Sequence, residues 1–413
     1  MFRRVVQLFF LLSSAALCSL VAQVARASDD DVALHFQVHF DNKARLIEAT
    51  IEVDQSRSVL DFIDFDAPEA HFRDFRAEGK FERTGERIRW QPPRKGGKLR
   101  YRYFVDRKRD PKSGDGEYDA RFTEDWALLR LDRLFPGARV RISKDARVTS
   151  TLRLSGSKDW VAKDWAAHTR YGRWAGVTHT LPAESGSRYR RPTGWMIAGE
   201  IGVRRDVLSG VYVSVAGPRG HAVRRQDLLA FLAWTLPELV KVFPEMPANL
   251  LILSAGDPMW RGGLSGPGSY YLHSDRPLIT ENGTSPVLHE LIHVASRYRM
   301  ADNEDWLVEG LAEYYSLLFL RRSGGITEDR LDKSLTAIKL VADEEGGKLA
   351  NPSRGADTAR ATIKLADLDR RLPGGLDAWI RSVPKNKRID CASLEAFAKK
   401  HKVAFWGCEL PSR

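Results

Sequence analysis

Three residues that could bind and use a metal ion lie close together in the sequence, as His289, Glu290 and His293. On a helix, side chains four residues apart share one face, so the two imidazoles could reach one tetrahedral metal ion. Glu290 would project beside that metal, where a carboxylate can take a proton from bound water. Ser285 is a good N-cap and Pro286 suits the first helical position. The alternative is a surface helix that carries a histidine pair without function.

A third metal ligand is predicted at Glu309, sixteen residues beyond His293. Residues 305–315 have the pattern of a second, partly buried helix, which would turn Glu309 towards the histidine helix. Gly310 is a poor helix former, and we expect it where this helix approaches its neighbour closely. Three protein ligands with an open fourth position are typical of catalytic zinc, whereas structural zinc is closed by four ligands. The apolar stripe of the helix consists of Trp306, Leu307, Leu311 and Leu318.

Glu313 lies one helical turn after Glu309 and is the candidate partner of a metal-bound histidine. Such histidines usually donate their second N–H to a carboxylate, which determines the tautomer. The alternative is that Glu313 is a solvated helix residue. We expect the acids Asp302, Glu304 and Asp305 to cap the start of the second helix.

The pattern His-Glu-x-x-His followed by Trp-Leu-x-Glu-Gly resembles the gluzincin zinc metallopeptidases, most of all the glycyl-aminopeptidase-like branch related to aminopeptidase N. The resemblance is specific over about 286–315 and looser elsewhere. It implies that His289, His293 and Glu309 bind zinc and that Glu290 is the catalytic base. It also implies an N-terminal β domain before a thermolysin-like helical domain.

The chain departs from that family at two functional positions. The family places a glutamate that holds a substrate amine after Gly-Gly-Leu, where this chain has Ser265. An aminopeptidase and an endopeptidase therefore both stay open. The family also offers a tyrosine to stabilise the oxyanion, but no tyrosine follows Tyr315. A loose alignment puts Thr358 near that position and Arg360 two residues on, which makes Arg360 a weak candidate for the oxyanion stabiliser.

The elements that position these residues change in type along the chain. Residues 32–40, 49–53 and 99–105 alternate apolar and polar side chains, which predicts half-buried strands. Residues 225–236 have apolar positions at helical spacing, and helices are predicted to dominate from there. The prediction is an α+β multidomain chain: an antiparallel β-rich region at 28–215, and a mainly α catalytic domain at 216–413.

The N-terminus reads as an export signal. Arg3 and Arg4 precede an apolar run at 5–24, and the small residues Ala25 and Ala27 suit cleavage before Ser28. We expect a signal peptide at 1–27 and a periplasmic or secreted protein without a membrane span after cleavage. The alternative is an uncleaved N-terminal anchor.

Composition excludes several classes of protein. With 43% hydrophobic and 29% charged residues, the chain is not disordered, collagen-like or a polytopic membrane protein. Its formal charge of +11 includes three arginines of the signal, and the remaining basic residues are interleaved with acids. Nucleic acid is therefore not an expected partner. In an oxidising compartment, Cys391 and Cys408 are expected to form a disulfide, the alternative being two unpaired thiols.

These observations predict an exported zinc-dependent metallopeptidase that hydrolyses peptide or protein substrates. The alternative is a catalytically silent zinc-binding scaffold or binding module on a peptidase fold. Glu290 favours the enzyme, because a binding module needs no general base. Ser265 and the missing tyrosine favour the silent module. The sequence does not predict an oligomeric state.

Overall fold

The computed structural model describes residues 31–110, 117–158, 160, 163, 165–173, 177–183, 188–300, 304–383 and 388–408. The predicted signal peptide at 1–27 lies outside these residues. In the described residues, the strands that precede position 200 are β1 Asp31–Asp41, β2 Leu46–Gln55, β3 Leu60–Asp66, β4 Phe72–Ala77, β5 Lys80–Thr84, β6 Arg87–Gln91, β7 Gly96–Tyr103, β8 Arg107–Lys108, β9 Tyr118–Phe122, β10 Trp126–Arg130, β11 Ala138–Ile142, β12 Arg147–Gly156, β13 Ala166–Thr169, β14 Gly172–Arg173, β15 Thr178–Thr180 and β16 Trp195–Gly199.

Strands become fewer and helices longer in the second half. Its strands are β17 Ile201–Leu208, β18 Val211–Pro218, β19 Asn249–Ala255, β20 Gly263–Gly266, β21 Ser269–His273, β22 Arg299–Met300 and β23 Arg388–Ile389. The helices of the described chain are α1 Leu131–Leu134, α2 Arg225–Val242, α3 Pro286–Ser296, α4 Asp305–Arg322, α5 Glu328–Glu344, α6 Ala356–Arg371, α7 Gly375–Ser382 and α8 Cys391–Lys400.

The N-terminal half consists of sheets that share one core. The strand orders are β15-β12-β1-β2-β7-β4, β14-β13-β16-β10-β9-β8 and β11-β3-β6-β5. Every second side chain of β1 is buried, as its alternating sequence predicts. The pairing is mostly antiparallel, as expected, but β1 and β12 run parallel. The predicted β-rich region is therefore confirmed, with one parallel pair at the centre of its first sheet.

The C-terminal half combines a five-stranded sheet with the long helices. Its strand order is β17-β18-β19-β21-β20, and the short β20 forms one edge, antiparallel to β21. The helices pack around one apolar core with this sheet. Because β17 and β18 belong to it, the sheets change near Glu200, whereas the predicted boundary between 215 and 216 falls inside β18. The strand pattern of 211–218 does not reveal which sheet it joins.

The two halves meet at a shared apolar cluster. Strands β10 and β16 are buried on both faces, so alternate side chains enter different cores. Ala127 and Leu129 face the β core, whereas Trp126 and Leu128 face the cluster shared with the five-stranded sheet. This cluster holds the N-terminal half against one face of the five-stranded sheet, at strands β18, β19 and β21. None of the helices in the described chain is both long and apolar enough to cross a membrane.

Candidate active site

Helix α3 begins where the sequence predicts. The Ser285 hydroxyl accepts a hydrogen bond from the Leu288 N–H (3.2 Å) and donates one to the Leu278 carbonyl (2.6 Å). Pro286 occupies the first turn, and Arg297 ends the helix with a left-handed backbone, at φ +50°. The cap and the buried apolar face together orient the helix, which leaves His289 and His293 only partly exposed.

His289, His293 and Glu309 converge on one point. The two histidine Nε2 atoms lie 3.2 Å apart. Glu309 Oε2 lies 3.3 Å from His289 Nε2, and Glu309 Oε1 lies 3.5 Å from His293 Nε2. Zinc binds nitrogen and oxygen at about 2.0–2.1 Å, so neighbouring ligands of a tetrahedral ion lie about 3.3–3.4 Å apart. The three side chains therefore have the chemistry and the spacing of three corners of a zinc site.

Helix α4 brings Glu309 to the histidines while packing against a different helix on another side. A Cβ atom added at Gly310 would lie 2.7 Å from the Ala361 Cβ and 3.0 Å from Leu365 Cδ1. Both of these residues belong to α6. The close approach expected at Gly310 is confirmed, and the neighbouring helix is α6 rather than the histidine helix α3. A glycine within a helix does not by itself specify which neighbouring helix lies close to it.

Glu313 contacts the first histidine, one turn along α4 from Glu309. Its Oε2 lies 3.0 Å from His289 Nδ1. A carboxylate accepts a hydrogen bond from that nitrogen, so His289 carries hydrogen on Nδ1, and a metal ion bound at Nε2 would take the place of the proton there. Glu313 is thus in the place of the carboxylate partner that a metal-bound histidine requires.

The charges of the cluster stabilise one another. Burial would lower the pKa of His289, but hydrogen bonds to Glu309 and Glu313 outweigh it and raise that pKa well above 6.5. Burial would raise the pKa of Glu309, but hydrogen bonds from His289 and His293 outweigh it and hold that pKa far below its usual range. Glu309 is therefore ionised, as a metal ligand must be.

Glu290 lies between α3 and the edge strand β20. It is buried, and burial raises the pKa of its carboxyl group. The Ser265 backbone N–H donates a hydrogen bond to it. A Cβ atom at Gly263 would lie 2.5 Å from Glu290 Oε1, so only glycine leaves room for the carboxylate there. The buried Tyr270 hydroxyl, which has no hydrogen-bond partner among the described residues, also faces this region.

Ser265 itself lies in the middle of β20. Its N–H is directed to Glu290, and its carbonyl accepts a hydrogen bond from Arg130 Nη1 (3.2 Å). Arg130 ends β10 in the N-terminal half, 135 residues away in sequence. The sequence offered no signal for this contact, because no local spacing relates the two positions.

Arg360 does not join the site, contrary to the prediction of an oxyanion stabiliser. Its Nε and Nη2 donate to the carbonyls of Gly347 and Ala342 (3.1 Å each), and Nη2 pairs with Asp343 at 2.8 Å. The guanidinium group is thus used to hold the end of α5. Thr358, the other position in that loose alignment, bonds through its hydroxyl to the Ser353 hydroxyl (3.0 Å).

The predicted caps of α4 differ in their partners. Glu304 makes no side-chain cap on its own helix and instead accepts the Cys391 N–H at 2.7 Å, at the start of α8. Asp305 lies in the first turn of α4, as predicted, and also accepts the Ser353 N–H at 2.9 Å. Asp302 lies outside the described residues. Cys391 and Cys408 form the expected disulfide.

Solved structures share the fold of this chain. A mutant of a two-domain M1 zinc metallopeptidase bound to L-arginine matches with a TM-score of 0.59 and 16% identity, over 90% of this chain and 90% of that one. The M1 zinc metallopeptidase from Deinococcus radiodurans matches with a TM-score of 0.55 and 15% identity, over 93% and 94%. An aminopeptidase N family protein from Idiomarina loihiensis matches with a TM-score of 0.58 and 15% identity, over 84% and 69%. No family profile and no curated protein matches the sequence. The likeness therefore shows the fold.

Proposed function

We propose that this protein is a zinc-dependent peptidase that cleaves peptide bonds with Glu290 as general base. The observation that carries the proposal is the 3.2–3.5 Å spacing of the donor atoms of His289, His293 and Glu309, with the buried carboxylate of Glu290 beside them. Solved proteins that share the fold are described as M1 zinc metallopeptidases, and this likeness supports the same chemistry.

The ligand set has the properties that catalytic zinc requires. His289 and His293 would bind through Nε2 and Glu309 through its carboxylate, which leaves a fourth position open. Bound zinc would supply a Lewis acid that polarises the scissile carbonyl and activates a water molecule. Glu313, through its contact with His289 Nδ1, holds a proton on that nitrogen and turns Nε2 to the ligand cluster, where zinc would replace the second proton of the ring.

Glu290 carries the proton transfers in this proposal. Its carboxylate takes a proton from the attacking water and later delivers it to the leaving amine. Burial raises the pKa of Glu290, and this brings the group closer to the operating pH, where proton transfer in both directions is efficient. The backbone of β20 lies close against the carboxylate at Gly263 and confines it between the two transfers.

Strand β20 supports peptides as the substrates. It is the edge strand of its sheet, is half-exposed and lies beside Glu290, so a peptide bound over this strand would bring a bond to the carboxylate. The serine at position 265 leaves open whether the peptide is cut internally or at its end.

The test is the variant Glu290→Gln, which keeps the shape of the side chain and removes the base. Hydrolysis of a mixed peptide library, followed by mass spectrometry, is expected to fall by about 10²–10⁴-fold. Zinc content by elemental analysis is expected to stay equimolar, because Glu290 is not a ligand. Glu344→Gln removes an exposed glutamate of α5 and serves as the matched control with full activity. Full activity of Glu290→Gln would exclude the mechanism.

The second candidate function is a silent zinc-binding module. It draws on the engagement of Arg360 with α5, which removes the oxyanion donor that the sequence suggested. Equimolar zinc in the unmodified protein, together with no cleavage of any peptide in the library, would favour this module over the enzyme.

We also propose that the protein is exported. The segment at 1–27 has the pattern of a signal peptide, and the Cys391–Cys408 disulfide suits an oxidising compartment. Fractionation of expressing cells, with the mass of the mature N-terminus, tests this. A cytoplasmic protein that retains residue 1 would contradict it.

A further inference from the structure

The outer edge of β20 is occupied by two groups of opposite charge. In an antiparallel pair, the N–H and the C=O of one residue point to the same side of its strand. The Ser265 C=O accepts a hydrogen bond from the Arg130 guanidinium at 3.2 Å, and the Glu290 carboxylate lies against the backbone of Gly263 two residues earlier, so both groups lie along the same strand. A positive charge and the general base are thus separated by two residues of β20.

Arg130 is built into this position. Its Nε and Nη2 form a two-pronged ion pair with the two carboxylate oxygens of Asp132, at 3.2 and 2.7 Å. The Gly194 N–H holds the same carboxylate at 3.0 Å. The guanidinium carbon lies 5.9 Å from the centre of a Trp195 ring, and a Cβ atom at Gly266 would lie 3.6 Å from it. The arginine therefore cannot swing away from the strand without breaking several contacts.

The guanidinium group has donors left for a ligand. It carries five N–H groups, of which Asp132 and Ser265 take three. In the part of the chain that the structure describes, no acceptor takes the other two. The Arg130 side chain is 28% exposed and that of Asp132 only 12%, so solvent reaches the cation more than its counter-ion. A molecule lying along β20 can reach these donors.

The surroundings of Arg130 add positive charge. Arg170 lies at the turn that joins β20 to β21, where a Cβ atom at Gly268 would be 2.8 Å from its Nε. Arg191 holds the loop after β10 through the carbonyls of Asp132 and Phe135, at 3.1 and 2.7 Å. A site of this charge attracts a carboxylate and opposes an ammonium group.

We propose that Arg130 determines specificity by binding a carboxylate of the peptide next to the scissile bond. The carboxylate belongs to an acidic side chain or to the C-terminus of the peptide, and a free N-terminal amine is disfavoured at the same place. This inference rests on the proposed peptidase function and names the class of peptide that the site selects.

Binding to the full-length Glu290→Gln variant loaded with zinc tests the inference without turnover. The probes are N-acetylated peptides of one sequence, with Asp or Asn beside the scissile bond and a C-terminal carboxylate or amide, titrated by calorimetry. We expect the Asp form, the C-terminal acid form, or both to bind about tenfold more tightly than their neutral counterparts. The Asp–Asn and acid–amide pairs distinguish the two sources of the carboxylate.

Variants separate recognition from a structural role. In the same background, Arg130→Gln is expected to remove the preference for the carboxylate, whereas Arg130→Lys keeps part of it through its charge. Arg139→Gln removes an exposed arginine of β11 that pairs with Asp64 in the N-terminal half, and the preference is expected to persist. Equal weakening of charged and neutral peptides by Arg130→Gln would overturn the inference, as would the absence of a preference before that mutation.

These experiments distinguish failure of the inference about Arg130 from failure of the proposed peptidase function. A carboxylate preference in binding, with no hydrolysis by the unmodified protein, refutes the peptidase and supports the role of Arg130. Hydrolysis without any preference for a carboxylate supports the peptidase and refutes that role.

Discussion

His289 is held at both nitrogens of its ring, and this determines how it can act. Nδ1 meets Glu313 and Nε2 meets the ligand cluster, so neither rotation nor tautomer is free. Glu290 is held in the same way, by the Ser265 N–H and by the space that Gly263 leaves. At the scale of single residues, the candidate site depends on partners that fix His289 and Glu290 in one orientation.

Removal of the Glu313 carboxylate is expected to weaken metal binding. Glu313→Ala leaves all three ligands in place but releases the His289 ring, so zinc affinity is expected to fall about 10–100-fold. Competition with a chromophoric chelator measures this. Glu344→Ala, on an exposed face of α5, is the control and is expected to bind zinc like the unmodified protein. Equal zinc affinities of the two variants would show that Glu313 is a solvated residue without effect on His289.

His221 is expected to make stability depend on pH. Its Nδ1 accepts the Gly256 N–H at 3.0 Å, which requires the neutral ring, and burial lowers its pKa below 6.5. The unfolded chain therefore takes up this proton first, so the contribution is present above about pH 6.5 and lost as pH falls towards the folded pKa. His221→Gln is expected to flatten the fall in unfolding free energy between about pH 7.5 and 5. If urea unfolding gave the same pH dependence of the unfolding free energy for His221→Gln and for the unmodified protein, His221 would not be the group responsible.

At the scale of elements, α4 connects the site to the helical core. Glu309 and Glu313 meet α3, while Gly310 packs against α6. Glu304, at the start of the helix, binds the first N–H of α8. The position of Glu309 is therefore set by three other helices.

A methyl group at Gly310 is expected to displace α4 from α6. Alanine usually stabilises a helix by about 1 kcal/mol relative to glycine. Here its Cβ would lie 2.7 Å from the Ala361 Cβ, so Gly310→Ala is expected to cost about 1–3 kcal/mol. Urea unfolding measures the loss.

The double variant Gly310→Ala/Ala361→Gly tests the cause of that loss. Removal of the opposing methyl group is expected to restore part of the stability, so the two substitutions should not be additive. Additive changes would show that the clash is not the source.

At the scale of the whole molecule, the shared apolar cluster packs the two halves together. This packing places residues of the N-terminal half beside the candidate site. Trp126 and Leu128 from β10 pack there with Leu251 and Leu253 from β19. The same strand β10 ends in Arg130, which meets β20. The N-terminal half thus contributes directly to the surface beside Glu290.

Leu128→Ala is expected to uncouple the unfolding of the two halves. Loss of this buried side chain costs about 2–5 kcal/mol at the shared cluster, so calorimetry should show two separated transitions. Leu129 is the matched control, because it is equally buried but faces the β core. Leu129→Ala is expected to lower stability by a similar amount without separating the transitions. Identical unfolding profiles would contradict a coupling role for the cluster.

Local features of the sequence predicted much of the site. Residues four apart on a helix share a face, so His289 and His293 were expected to converge, and the Ser285 cap was expected to start α3. Strands whose apolar and polar side chains alternate could also be predicted, as β1 shows. These features follow from the fixed geometry of helices and strands, which acts over a few residues.

The tertiary structure alone decided which distant surfaces meet. It turned Arg360 to the end of α5, Glu304 to α8 and Gly310 to α6, and it brought Arg130 to the carbonyl of Ser265. The sequence by itself predicted that His289 and His293 share a face of one helix, and it predicted the order of strands and helices, because local geometry relates those residues. The partners of the base and the charge beside it depend on how apolar faces across the whole chain are buried together, and no local spacing encodes that.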